Sequence, residues 1–593
     1  VNQSSIRQWS LKKLADYGFD AATGIWAECP GYSSVVVGDY ASFVSLFDEN
    51  LGMDLTKEIP VLSKAVEAMP QYLFPNRMVC GFGDTHPSTL RTDIFRYMIQ
   101  NARTHGKFEE ERKFTAMLKL FDPSSSLPVA ERGKAPVAIT SFFAGKPLVL
   151  DEKVKAGQID DYVTPTFYAP NVSWLVQRNG MNPRHSLMVS LNGSEGNHMH
   201  ANGISMELYG KGYVLGPDAG IGKTLYQGLD YLEYYSQFPS HNTVCVDGIS
   251  SYPVMKSNHS FKLRALYPAA GERLPYQPIS YSEVYFREPE TFADQTRLNG
   301  IVNVGDSAGY YIDIFRSRKV EGGDKMHDYF YHNLGQHMTL TAADGSELGL
   351  QPTQELAFAG AHLYAYSYIY NKKRAVTSKD VKAGFTIQMP DKDDITMNLW
   401  MKGEEGREIF SALSPMTEGL SRIKNMPYSI KDQPTLTFVA RQKGEAWNRP
   451  FVAVYEPSTL KEPSCIASVD YPQVKSEQQG SHVGIRVALT NGNVDWILSS
   501  DENAHHCKLE KLQARAGYAL CRQSEKGETL QAFLGNGTQL EADGVSIRTD
   551  VPADVLLLKQ DGKWMYTATA PCRVVVGKKK YTLSVSKELR LLK

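Results

Sequence analysis

The hydrophobic period of this chain changes once, near residue 125, and that change limits the possible folds more than any motif does. Before it, apolar residues recur at helical spacing: Ile6, Trp9, Leu11 and Leu14, then Phe43, Phe47 and Leu51, then Ile59, Leu62, Ala65 and Met69. "TLRTDIFRYMIQNARTHG" and "FEEERKFTAMLKLFD" continue the pattern with glycine and proline as punctuation. Residues 1–125 are therefore expected to form an all-helical layer of roughly five helices. "DPSSSLP" opens a linker over 126–160. Beyond it, "VSWLVQRNG", "HSLMVSLNG", "ISMELYGKGYVLG" and "NTVCVDG" are short period-two runs ended by glycine or asparagine. Asn-Gly in "LTNGNV" and Asp-Gly in "KQDGKW" are hairpin signals. The expected fold class is thus α+β and multidomain: helices, then a large antiparallel β-sandwich over 161–440, then a small β domain over 441–593.

Composition narrows the function. At 593 residues the chain is too long for one core, and 42% hydrophobic with 11% aromatic residues describes well-packed domains. A net charge of -1, with no basic run beyond Lys578-Lys579-Lys580, argues against a nucleic-acid partner. An acidic substrate would then be held by a local basic cleft. Seven scattered cysteines without a CxxC pair argue against a disulfide framework and a thiolate zinc site. No apolar run approaches the roughly 18 residues of a membrane span. No signal peptide is seen, and "IRQWSLKKLADYGFD" reads as a chain already inside an element. The numbering is expected to begin within a longer gene product.

The chemistry is concentrated in "NGSEGNHMHANG", Asn192 to Gly203. In a strand, residues i and i+2 share a face, so His198 and His200 would point the same way. That pattern suits a metal, a catalytic pair, or one of each. Downstream, Asp218 in "VLGPDAG" and His241 in "PSHNTVCVDG" sit at strand ends where neighbouring strands converge. His200, Asp218 and His241 make an N/N/O set suited to a divalent ion such as zinc; the same residues also serve as polar turn caps. A metal-dependent hydrolase is a third reading, although Asn202 stands where it would want a further carboxylate.

Taken together, "GNHMHANGISMELYGKGYVLGPDAG" and "SHNTVCVDG" resemble the core signature of the heparinase II/III-like polysaccharide lyases. "GIWAECPGY" (Gly24 to Tyr32), "GFGD" (Gly81 to Asp84) and "RSRKVEGGDKMHDYFYH" (Arg316 to His332) resemble three further family stretches, in the family's order. Asn202 stands for the family's aspartate and Cys29 for its glycine. The resemblance implies an (α/α) toroid for the helical part. The Tyr32 motif comes so early that this toroid would be N-terminally incomplete, with its first part in a missing segment or a second chain.

The resemblance also implies a reaction: β-elimination on a uronate-containing polysaccharide, leaving a 4,5-unsaturated uronate. A proton alpha to a charged carboxylate is barely acidic, so such a site must neutralise that charge. It also needs a base for C5–H and an acid for the leaving oxygen. Tyr32 matches the family's catalytic tyrosine, whose phenol, titrating ordinarily near 10, needs positive charge close by to act as a base. His198 matches the catalytic histidine. His200, Asp218 and His241 match the ligands of one mainly structural zinc. The two histidines of the motif would then divide the work, one for chemistry and one for metal.

Glu28, His86, Asn197, Arg316 and Arg318 are the candidate substrate contacts. Glu28 serves equally as a first-turn acid of a helix, His86 as a helix-start residue, and "RSR" as a solvated strand face. Tyr231, Tyr234 and Tyr235 read as packing, and His505 and His506 as surface. The expected partner is an acidic polysaccharide or oligosaccharide: a heparan-type glycosaminoglycan, an alginate-like polyuronate or a glucuronate-bearing plant glycan. Family habit places such an enzyme in the periplasm or outside the cell. The alternative class is a non-catalytic, zinc-stabilised carbohydrate-binding protein.

Overall fold

Among the described residues, five α-helices come first: α1 (Leu11–Gly18), α2 (Pro30–Leu51), α3 (Val61–Ala68), α4 (Asp93–Thr104) and α5 (Phe108–Phe121). Their ends follow local chemistry. Ser10 caps α1 by accepting the Lys13 N–H, and α2 starts with proline at its first position. Gly52 closes α2 in the left-handed conformation, φ 62°. Helix α5 carries Glu109, Glu110 and Glu111 in its first turn and Lys119 in its last, both favourable to the helix dipole. The structure, a computed structural model, describes residues 9–126, 148–222, 229–250, 255–357, 364–417, 419–420 and 428–593. Most of the expected linker, 127–147, lies outside the described residues.

The rest is antiparallel sheet. Thr166–Ala169, Trp174–Arg178, Met188–Asn192, Ser205–Gly210 and Tyr213–Gly216 form a five-stranded sheet in that order. One face carries Trp174, Val176, Met188 and Tyr209 into a core shared with the helices. The other carries Leu175, Val189, Leu191, Met206 and Leu208 into a core shared with the next two sheets. With both faces covered, strands such as Trp174–Arg178 are buried at every position, which is why they read as nearly continuous apolar runs.

Those next two sheets have eight and six strands. The expected boundary at 440 falls inside them. Ala446–Thr459 is an interior strand of the eight-stranded sheet, paired with Gly309–Lys319 on one side and Ile395–Met401 on the other. The C-terminal β region is also not small: it forms a twelve-stranded sheet, the largest in the described residues. It packs on the outer face of the eight-stranded sheet, where Tyr310, Ile312, Ile314, Val452 and Val454 meet Val483, Ile485, Val487 and Ile497. Both hairpin signals hold. Asp561 and Gly562 have φ of 51° and 74° between paired strands, the doubly left-handed turn that suits strand twist. Asn491-Gly492 joins His482–Leu489 to Val494–Ser500.

Candidate active site

The site lies where α2 meets the strand Ser194–Met199. That strand pairs in register with Met255–His259 until the register shifts between Asn197 and Met199, leaving His198 at φ 57°. This bulge overturns the expectation that His198 and His200 share a strand face. The bulge arises because the strand end is gripped from the helical side. Asn197 N–H donates to Ala27 O (3.0 Å), Cys29 N–H to Asn197 O (3.4 Å), and Asp84 N–H to His198 O (2.9 Å). Gly83, at φ 61°, makes the last contact possible, because a Cβ there would fall 2.4 Å from His198 O.

The bulge sends the two imidazoles to different tasks. His198 faces α2: its ring lies flat on that of Tyr32, centroids 3.6 Å apart and planes 5° apart. Its Nδ1 lies 3.5 Å from Glu28 Oε2. Asn197 Nδ2 donates to Glu28 Oε1 at 3.4 Å, so Glu28, Tyr32, Asn197 and His198 form one partly exposed group. Glu28 precedes α2 and bridges Asn197 in parallel, so it does not sit in the helix's first turn.

His200 faces inward and is wholly buried with Asp218 and His241. One ligand atom from each of the three lies within 4.8 Å of the others. His241 Nδ1 is 2.9 Å from Asp218 Oδ2, and the Gly220 N–H donates to Asp218 Oδ1 (3.0 Å). His200 Nδ1 and His241 Nε2 are buried without a hydrogen-bond partner, a costly arrangement that a metal ion would relieve. The residues therefore fit the implied divalent ion: two imidazole nitrogens, one carboxylate, and a polar pocket closed to solvent.

Two residues that sequence reasoning left without a role support this set. Asp84 Oδ1 accepts the Tyr231 hydroxyl (2.7 Å) and lies 2.9 Å from His200 Nε2. A carboxylate behind a ligating histidine fixes its tautomer and orientation. Burial alone would raise the Asp84 pKa, but the His200 hydrogen bond and charge and the Tyr231 hydroxyl bring it below the usual carboxylate value. Burial, then the Asp84 charge, push the Tyr231 phenol well up, so it acts as a donor. Beside Asp218, Glu207 is buried, and desolvation followed by the Asp218 charge raises its pKa to about 8. It accepts the Gly81 N–H (2.9 Å), which anchors the Gly81–Asp84 turn from below.

Other candidates are placed elsewhere. Arg316 is 1% exposed and bonded to Ser481 Oγ (2.8 Å), Ser481 O and Ser499 Oγ, so it joins two sheets and does not face a cleft. Arg318 is exposed, with its guanidinium 4.2 Å over the Trp447 ring. His327 is bonded to Ser317 and Asp324. His86 is partly buried two residues beyond Asp84, and Asn202 Nδ2 donates to Asn192 Oδ1.

Comparison with known proteins falls on these same segments. The family "Endo-acting ulvan lyase 2nd domain" matches residues 22–126. An endo-acting ulvan lyase of Formosa agariphila is 25% identical over 89% of this chain. The chain spans 65% of that relative's length. Among solved structures, a heparinase III is 12% identical with a TM-score of 0.49, covering 81% of this chain and 59% of its own. The heparan sulfate lyase HepC of Pedobacter heparinus is 12% identical with a TM-score of 0.44, covering 81% of this chain and 59% of its own. The match over 22–126 includes the Tyr32 motif, and the similarity to the ulvan lyase relative extends along most of the chain.

Proposed function

We propose that this protein cleaves a uronate-containing polysaccharide by β-elimination. The observation that carries the reading is the Tyr32–His198 stack with Glu28 3.5 Å from the imidazole. Elimination must take a proton from C5, break C4–O, form the C4=C5 double bond and return a proton to the leaving oxygen. A phenol and an imidazole in face contact supply both proton carriers at one point. Glu28, 3.5 Å from the imidazole, orients the ring that lies on Tyr32, and Tyr32 removes the C5 proton in this reading. The imidazole N–H and the Asn197 amide would donate to the uronate carboxylate, whose charge otherwise suppresses C5 acidity.

In this proposal His200, Asp218 and His241 hold zinc, and Tyr231 and Asp84 keep His200 in place. Zinc bound there would brace the chain just past His198. The five helices are read as part of an (α/α) toroid. Export to the periplasm or cell surface goes with a polymer substrate, which a cell meets outside its cytoplasm.

The test is the ultraviolet absorbance of the unsaturated uronate, on glycosaminoglycans, alginate-like polyuronates, glucuronate-bearing plant glycans and ulvan. Ulvan joins the panel because of the 25% identical relative. Tyr32→Phe keeps the stacked ring and removes the hydroxyl, so the rate should fall about 10²-fold or more with the fold intact. Binding to one of these polymers with no absorbance rise would sink the lyase reading and leave a carbohydrate-binding protein.

A further inference from the structure

The C-terminal sheet holds a second convergence of ligand-type side chains. His482 opens the strand His482–Leu489 and pairs with Ser500, the last residue of Val494–Ser500. Asp501 therefore emerges beside it, and His505 returns in the turn before His506–Leu509. His482 Nε2 lies 3.2 Å from His505 Nδ1, and one ligand atom from each of the three residues lies within 4.8 Å of the others. Two nitrogens bound to one tetrahedral zinc at ordinary bond lengths stand about 3.4 Å apart, so the pair already has the spacing of a ligand edge.

The surroundings support the set. Asp501 Oδ1 accepts the Ser481 N–H (3.0 Å) and Oδ2 the Trp447 Nε1–H (2.7 Å). Each oxygen keeps a further lone pair, so the carboxylate is oriented without being used up. Gly480 leaves the space open: a Cβ there would fall 2.8 Å from Asp501 Oδ1 and 3.0 Å from His505 Nδ1. Arg316, bonded to Ser481, brings a positive charge to the same neighbourhood. The charge opposes any cation, so selection rests on the donors: two imidazole nitrogens among three ligands disfavour calcium or magnesium, which bind through oxygen.

We propose that His482, Asp501 and His505 form a second divalent transition-metal site of the zinc class. The site would pin the 501–505 turn at the seam between the C-terminal and eight-stranded sheets, because Trp447 and Arg316 both belong to the latter. A bound ion would thus brace the packing of the two sheets.

The test strips the full chain with a chelator, reloads it with zinc, removes free metal and counts zinc per chain by mass spectrometry. His482→Ala and His505→Gln are compared with the unmodified chain, with circular dichroism to confirm folding. Each folded variant should hold one zinc fewer than the unmodified chain. The difference is the readout, so it does not depend on whether His200, Asp218 and His241 bind zinc. Chelation should also lower the unfolding temperature of the unmodified chain by more than that of either variant. Equal zinc counts in the unmodified chain and both folded variants would overturn the proposal.

Discussion

Asp84 is the residue on which the two halves of the site depend. Its backbone N–H fixes the carbonyl of His198, while its carboxylate takes His200 and Tyr231. Asn at this position keeps the size and the backbone contact but replaces a charged acceptor with a neutral amide. Asp84→Asn should therefore leave the fold intact and weaken the zinc binding proposed at His200, Asp218 and His241 by about 10- to 100-fold. Competition with a chromophoric chelator reads this directly, and an unchanged affinity would remove Asp84 from the metal's support. The residue was visible in "GFGD", but nothing in the sequence linked it to His200, 116 positions away. Tyr231 was harder still: an aromatic in a cluster of three tyrosines reads as packing, and what sets it apart from Tyr234 and Tyr235 is that its hydroxyl donates to Asp84.

Among the elements, the helical layer is held by a polar cluster at the α4–α5 corner as well as by its apolar faces. Asp54 Oδ1 accepts from the Thr56 N–H (3.2 Å), the Thr56 hydroxyl (2.6 Å) and Asn101 Nδ2 (3.3 Å), while Lys107 Nζ lies 2.7 Å from Oδ2. Burial would raise the Asp54 pKa, but Lys107, Thr56 and Asn101 bring it down to about 2 from 3.8. The unfolded chain therefore takes up this proton first as pH falls. The stabilisation is complete above about pH 4 and drains away as pH drops through about 2, with a size of about 2 kcal/mol. Asp54→Asn should lose about that much at pH 7 by urea denaturation, and the gap to the unmodified chain should narrow as pH falls from about 4. A gap that stays constant with pH would refute the assignment. The helices themselves were legible because 3.6-residue spacing, proline starts and glycine stops are local. The bulge at His198 was not, because it is imposed by Ala27, Cys29 and Asp84 from another layer.

For the whole molecule, the segments that carry His200 and His241 are tied to the sandwich by a buried ion pair. Arg297 and Asp313 are both fully buried on neighbouring strands and form two hydrogen bonds of 2.9 and 2.7 Å. Arg297 Nη1 also donates to Ile204 O (2.7 Å) and Asn242 O (2.6 Å), residues that flank the His200 and His241 segments. Arg297→Leu would leave the Asp313 carboxylate buried with only Tyr329 and Asn299 as partners. The expected cost is about 3–5 kcal/mol, because an uncompensated buried charge is far costlier than the pair it came from. Replacing both residues with leucine should recover part of it. Thermal unfolding of the two variants checks this, and a single variant costing under about 1 kcal/mol would refute it.

The sequence by itself determined what depends on neighbours along the chain: the change of hydrophobic period, the two glycine-bearing hairpins, and the residue types of the N/N/O set. The family resemblance named Tyr32 and His198 as catalytic candidates, and only the structure shows their rings in contact. Only the tertiary structure decided which way each histidine faces and which charges meet. His198 and His200 diverge because a second layer grips the strand end. Arg316 does not face a substrate cleft because the C-terminal sheet covers it. His482, Asp501 and His505 converge because a strand pairing sets His482 beside Ser500, and Trp447 of another sheet then holds Asp501. Periodicity records which face of an element is apolar, but not what will be packed against it, and the chemistry of this protein lies at those packed contacts.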